Sequence, residues 1–297
     1  MTSERPPLSH SAVSVAVPEV ARRLAAAGIQ GARAEAELLA CEASGRSRES
    51  LVIHPEEPLT EEQAACLEEL ANRRARREPL AYVLGHGECY SLRFLTTPAA
   101  MVPRPETEVL AEAVIARAEG ARFAVDVGTG CGALAVVLAR ELPALAVLGT
   151  DVSLEALGLA RRNVRLHGVE GGVLLMAGDL LEPAGRPADI VVANLPYICT
   201  GEFPLLGPEV RDYEPRLALD GGEDGLALIR RLSAQLSDHM CPGGMAALEV
   251  GAGQAEEVAN LLAVGGLQDI EVVDDYSGIG RVVLGRRRPV RRPAGGG

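Results

Sequence analysis

The apolar run Ile190, Val191, Val192, Ala193 ends in Asn194-Leu195-Pro196-Tyr197. The run has no polar member and is rich in β-branched types, which is the composition of a buried strand. The tetrapeptide at its end offers a side-chain amide, a restrained carbonyl and an aromatic face. Together these suit a planar NH2 group whose nitrogen is to be alkylated. Two oxygens accept its N–H bonds while its π face rests on the ring. The set does not suit hydride transfer, hydrolysis or phosphate binding. Asn and Pro are also turn residues, so the same four could close a strand and do nothing more.

A second group of residues carries the other half of such a reaction. Asp126-Val127-Gly128-Thr129-Gly130-Cys131-Gly132 follows a strand and opens a helix. Glycines there let the backbone turn sharply and approach a ligand that a Cβ would push away. The spacing is G-x-G-x-G after an acid, not the G-x-G-x-x-G of dinucleotide enzymes. Asp151 ends the next strand, where a carboxylate can accept both hydroxyls of a ribose, although taken alone it could be a helix cap. Gly178-Asp179-Leu180 follows the third strand and sets a polar group and an apolar face beside a purine. Ligands of open α/β sheets sit at the carboxyl ends of strands, where all four segments fall. S-adenosyl-L-methionine fits this arrangement better than NAD. Its amino acid end lies at the glycine turn, its ribose on Asp151, its purine by Asp179, and its methyl group toward Asn194.

Positioning these segments requires a particular order of elements. From about residue 108 strands are expected at 122–127, 146–150, 172–176, 189–193, 245–250, 269–274 and 280–285. Helices are expected at 132–141, 153–167, 224–239 and 254–263. Repeated β-α-β units at this spacing make an open, mostly parallel sheet covered on both faces. Residues 18 to about 80 read as helical. Thr60-Glu61-Glu62-Gln63 is a capping box opening a long helix through Arg77, closed by Pro79. Asn72 to Arg77 makes a basic helix end, either a complement to the helix dipole or a docking patch. Residues 85–105, with Tyr90, Leu92, Phe94 and Leu95 flanked by Gly and Pro, read as a β-hairpin linker. The expected layout is a helical domain over 1–84, that linker, a catalytic domain over 106–286 and a disordered tail over 287–297.

Composition narrows the classes. The chain has 297 residues, 47% of them hydrophobic, enough for a large domain and a small one. Its formal charge of −12 argues against a broad grip on nucleic acid. No apolar stretch approaches the roughly 18 residues of a membrane span, and no secretory signal opens the chain, so a cytoplasmic protein is expected. Cys41, Cys66, Cys89, Cys131, Cys199 and Cys241 form no C-x-x-C pair, which fits free thiols and no metal site.

At this point the residues resemble class I S-adenosylmethionine-dependent methyltransferases acting on amino groups. Three further segments narrow the likeness: Pro79 to Gly85, Val102-Pro103-Arg104-Pro105-Glu106-Thr107-Glu108, and Glu209 to Leu219 running into Gly221 to Leu226. With them the chain, over about residues 20 to 285, resembles the release factor glutamine methyltransferases of the HemK/PrmC family. That resemblance implies an N-terminal helical bundle that recognises substrate, a hairpin linker, and a Rossmann-like seven-stranded sheet whose last strand is antiparallel. It implies methylation of the side-chain nitrogen of glutamine in the Gly-Gly-Gln motif of class 1 peptide chain release factors. Carried over by position, Gly128, Thr129, Gly130, Cys131 and Gly132 hold the methionyl part, Asp151 the ribose, and Asp179 and Leu180 the adenine. Asn194, Leu195, Pro196 and Tyr197 hold the glutamine amide, with Asn194 also against the cofactor. The loop Pro103 to Glu108 lies near the substrate entrance, where Glu106 either meets the substrate or serves as a helix cap.

Two positions depart from the family pattern. Leu195 stands where Asn-Pro-Pro-Tyr is usual, and Cys89-Tyr90 stands where paired aromatics are common. Leucine keeps the backbone carbonyl and still precedes a proline, so an extended backbone is retained. Orientation in a dry site would supply most of the catalysis, a term that can reach roughly 7–11 kcal/mol. An N6-adenine methyltransferase of nucleic acid, a small-molecule N-methyltransferase and a non-catalytic cofactor-binding paralogue are the other readings.

Overall fold

The computed structural model describes residues 11–289. It forms two compact units, one running to His86 and including Gly207–Tyr213, the other holding Gly87–Leu206 and the chain from Glu214 onward.

The first unit contains α1 (Val13–Ala26), α2 (Ala32–Ser44), α3 (Arg48–Ile53), α4 (Glu61–Ala75) and α5 (Leu80–Leu84). Its core is Val17, Val20, Leu24, Leu39, Leu59 and Leu67, all buried. The capping box is present: Gln63 N–H donates to Thr60 Oγ1 at 3.2 Å, and Thr60 N–H donates to Gln63 Oε1 at 3.0 Å. The helix stops at Ala75, two residues short of the expected end, because Arg77 turns to φ +69°. The basic helix end is largely paired inside this unit. Arg74, only 5% exposed, bonds Glu35 at 2.6 Å and Glu209 at 3.1 Å. Arg77 also bonds Glu209, at 2.6 Å, and Arg73 bonds Glu78.

The second unit opens with the hairpin β1 (His86–Cys89) and β2 (Leu92–Leu95), whose first residue falls in the first unit. Then come α6 (Pro105–Ile115), β3 (Phe123–Val127), α7 (Ala133–Glu141), β4 (Ala146–Asp151), α8 (Leu154–Leu166), β5 (Val173–Ala177) and β6 (Ala188–Ala193). After α9 (Pro208–Tyr213), which belongs to the first unit, follow α10 (Ala227–His239), β7 (Met240–Glu249), α11 (Ala255–Val264), β8 (Leu267–Asp274) and β9 (Gly280–Arg287). The seven-stranded sheet has the order β5-β4-β3-β6-β7-β9-β8. Its first five strands pair in parallel, and β9 runs antiparallel to both β7 and β8.

Ile190 and Val192 enter the core on one face of the sheet, Val191 and Ala193 the core on the other. A strand buried on both faces needs an unbroken apolar run, which is why β6 carries one. In register, Val127 lies beside Thr150 and Ala193, so the ends of β3, β4 and β6 open side by side. The chain reverses direction across the sheet between β3 and β6, and that is where a doubly wound sheet leaves its crevice.

Several boundaries differ from expectation. Helix α6 fills residues assigned to no helix, starting with Pro105 at its first position, where a missing N–H costs nothing. Strand β7 begins at Met240, five residues early, because Ala188 pairs Met240 and Ile190 pairs Met245 across a bulge. Helix α10 begins at Ala227, not 224, after a turn in which Leu226 N–H donates to Asp224. Strand β9 extends through Arg287, the first residue of the expected disordered tail, and residues 290–297 of that tail lie outside the described residues.

Candidate active site

The glycine turn between β3 and α7 is held from below and pressed from above. Asp126 is buried, and its Oδ2 accepts from Thr129 Oγ1 at 2.6 Å and from Ala135 N–H at 3.2 Å. Burial pushes its carboxyl up to about 7, against the pull of those two donors. A Cβ on Gly132 (φ +81°) would lie 3.0 Å from Ala160 Cβ on α8. Only glycine allows that close crossing. Asn163, fully buried on α8, donates to the Cys131 carbonyl at 2.9 Å and to the Leu95 carbonyl at 3.1 Å, and accepts from Leu95 N–H at 2.7 Å. It thereby ties the hairpin to the glycine turn. Burial pushes the Cys131 thiol up to about 11, so it stays neutral.

Asp151 ends β4 with both carboxylate oxygens engaged by backbone: Gly130 N–H on Oδ2 at 2.9 Å, Ser153 N–H on Oδ1 at 2.8 Å. These bonds fix the carboxylate's direction and leave lone pairs for two neighbouring hydroxyls. Leu180 is buried with φ +51°, an unfavourable backbone for leucine. It is held there because Thr150 Oγ1 donates to its carbonyl at 2.9 Å and Leu181 N–H donates to Gln235 at 3.2 Å. Asp179 is ion-paired with Arg231.

These segments converge on one cavity of about 550 Å³. Gly128, Thr129, Gly130, Cys131, Asp151, Asp179, Leu180, Asn194, Leu195 and Pro196 line it, joined by Pro98–Met101, Pro103, Thr107, Pro215, Leu217, Ala218 and Arg231. Two of the three further segments, around Pro103 to Thr107 and Pro215 to Ala218, meet here as well. Arg104 pairs with Glu214, whose side chain is 1% exposed, so the loop before α6 and the loop holding Pro215 to Ala218 are clamped together. Gly132, Tyr197 and Glu106 do not line the cavity. Gly132 caps α7 against α8. Glu106 sits in the first turn of α6, and the cap position belongs to Arg104.

The ring of Tyr197 lies beside Gly251, and its hydroxyl points toward Glu249 Oε1 at a long 3.5 Å. Burial, with the Glu249 charge next, pushes that phenol up to about 12, so it remains a donor. Gln254 Nε2 donates to the Tyr197 carbonyl at 3.0 Å. Asn194 Nδ2 donates to Thr107 Oγ1 at 3.0 Å, and Thr107 Oγ1 donates to Glu249 Oε2 at 2.8 Å. Glu249 is 1% exposed.

Thr107, Asn163, Arg231, Glu249 and Gln254 were not singled out from sequence. For Glu249 a signal existed: a carboxylate ending the apolar stretch Ala246-Ala247-Leu248 is unusual in a buried strand.

The lining suits S-adenosylmethionine. A glycine turn that a Cβ would fill, a carboxylate preset for vicinal hydroxyls, and an acid beside an apolar shelf match its three parts. The volume also lies within the range of small-molecule sites.

Comparison with known proteins agrees with this geometry. Residues 16–85 match the PrmC N-terminal domain, and residues 105–203 match the methyltransferase small domain. The chain is 43% identical over 264 residues to the release factor glutamine methyltransferase of Geobacter sulfurreducens, covering 89% of this chain and 92% of that protein. It is 43% identical over 277 residues to that of Moorella thermoacetica, covering 92% and 98%. The chain belongs to the release factor glutamine methyltransferase family. Members of that family are S-adenosylmethionine-dependent protein methyltransferases, and this chain is one. A methyltransferase from Pyrococcus furiosus shares the fold, with TM-score 0.54 and 19% identity over 73% of this chain and 99% of its own. Among the described residues no helix is long and apolar enough to cross a membrane, and no cluster of three or more His, Cys, Asp or Glu could hold a metal ion.

Proposed function

We propose that this enzyme methylates the side-chain amide nitrogen (N5) of the glutamine in the Gly-Gly-Gln motif of class 1 peptide chain release factors, in the cytoplasm. The observation that carries the reading is that Asn194, Leu195 and Pro196 line the same cavity as Gly128, Asp151 and Asp179. In this reading an amide acceptor and the cofactor share one cavity.

When bound, S-adenosylmethionine supplies a methyl group on a sulfonium, which departs as a neutral thioether. The chain's own task is to present the nitrogen. An amide lone pair is delocalised into its carbonyl, so alignment matters more than added basicity. With its Nδ2 committed to Thr107, Asn194 keeps Oδ1 to accept one N–H of the glutamine, and the Leu195 carbonyl accepts the other. Glu249 and Gln254 brace Tyr197 at its hydroxyl and its carbonyl, fixing the segment that carries both acceptors. Pro98–Met101, Pro103, Pro215 and Leu217 give that part of the cavity apolar walls that exclude water. Among the described residues no histidine lines the cavity. The amide proton leaves after transfer, when the nitrogen is positive and acidic. The N-terminal helical unit takes part in recognising the release factor.

Incubation with S-adenosylmethionine and unmethylated release factor, followed by peptide mass mapping, tests the reading. One added methyl on the Gly-Gly-Gln glutamine is expected, with none on RNA or DNA. Methylation of nucleic acid, or of the release factor at another residue only, would defeat it.

A further inference from the structure

We propose that Glu249 is a positioning residue for methyl transfer: through the Thr107 hydroxyl it determines which edge of the Asn194 carboxamide faces the cavity. This rests on the amide-methylation reading and deepens it.

The two ends of an asparagine carboxamide are almost the same shape, so shape alone does not choose between them. Hydrogen-bond direction does. Thr107 has one proton and is buried between two partners, Glu249 Oε2 at 2.8 Å and Asn194 Nδ2 at 3.0 Å. An ionised carboxylate only accepts, so the Thr107 proton points at Glu249. The hydroxyl can then only accept from Asn194, and the amide must turn its NH2 inward and its Oδ1 outward. The reverse orientation would set an NH2 against the NH2 of the acceptor, donor against donor. Among the described residues, the one hydrogen bond from the Asn194 side chain goes to Thr107, and the carboxylate one bond further on fixes its direction.

The charge on Glu249 is therefore part of the device. Burial pushes its carboxyl up to about 7. Glu106 on α6 raises it further, and Arg281 on β9 together with the bonds from Thr107 and Tyr197 lower it. The Cys89 thiol feels the Glu249 charge weakly and is itself pushed up to about 12, chiefly by burial, so it stays neutral. Once Glu249 is protonated, the carboxyl can donate to Thr107, and Thr107 can donate to Asn194 Oδ1, which removes the acceptor from the cavity.

The test is the pH dependence of kcat and KM for methylation of purified release factor by the full chain, with Glu249→Gln, Thr107→Val and Thr107→Ser. Binding of S-adenosylhomocysteine serves as the check on folding. The wild type is expected to lose kcat below an apparent pKa near 7, and Glu249→Gln to lack that acid limb. Thr107→Val, with the same shape and no hydroxyl, should lower kcat by at least about tenfold while cofactor affinity stays within about twofold. Serine at the same position should recover most of that loss. An acid limb unchanged in Glu249→Gln, or a Thr107→Val enzyme with near-normal kcat, would overturn the proposal while leaving the amide-methylation reading intact. A wild type unable to methylate the release factor would remove both.

Discussion

A Cβ placed on Gly128 would lie 3.0 Å from Cδ2 of Leu195, so the glycine turn after β3 and the segment after β6 are in direct contact. Leu195 is 4% exposed and packs into the core beneath the sheet's carboxyl edge. Its side chain thus separates the glycine turn from the segment Asn194 to Tyr197, and in the proposed mechanism its backbone carbonyl serves the acceptor.

Gly128→Ala is expected to fail on two counts, since φ is +71° there and the added methyl presses on Leu195. Calorimetry with S-adenosylhomocysteine should show affinity falling by about tenfold or more, equivalent to at least roughly 1.4 kcal/mol.

Asn163→Ala should be among the most damaging single changes. It strips partners from the Leu95 N–H and carbonyl and from the Cys131 carbonyl, around a side chain with no exposure. Each orphaned buried group costs roughly 1–3 kcal/mol, so urea unfolding should show a loss of about 3 kcal/mol or more. Cofactor affinity should fall with it, because the glycine turn loses its tie to the hairpin.

Arg104→Ala leaves the buried Glu214 without its cation. Burial raises the Glu214 carboxyl and Arg104 is the main influence lowering it, so the variant's carboxyl moves higher still. A raised carboxyl contributes stability below the unfolded-state value near 4.5 and loses it as pH rises through the folded one. The stability gap between variant and wild type should therefore be small near pH 5 and widen toward pH 8, reaching about 2 kcal/mol by denaturant titration.

The whole protein should follow the same rule through Asp126 and Glu249, both raised to about 7. The unfolded chain releases these protons near pH 4, so the folded state binds more protons between about 4 and 7. Stability is expected to decline as pH rises through that window, by on the order of 3 kcal/mol for each group, then level off. Asp126→Asn keeps an oxygen for Thr129 and Ala135, and should flatten its share of the slope.

The central strands could be read because they are buried on both faces and so carry unbroken apolar runs, as with Ile190 to Ala193 before Asn194. The hairpin turn was harder, since Tyr90 and Ser91 both take positive φ where Asn-Gly would be the usual signal. The start of β7 was hidden because Pro242-Gly243-Gly244 reads as a turn, whereas the chain bulges there and resumes pairing. At the site, Gly128 and Asp151, which line the cavity, stood out from local spacing. The Asn194–Thr107–Glu249 chain could not, because its members lie 87 and 142 residues apart and only the fold joins them.

In the proposed mechanism Asn194 holds the acceptor nitrogen in line for transfer. Single-turnover methylation of release factor by Asn194→Ala, with cofactor binding measured on the same sample, tests it most directly. The rate should fall by roughly a hundredfold or more while the cofactor still binds. Transfer at a near-normal rate by that variant would contradict the claim.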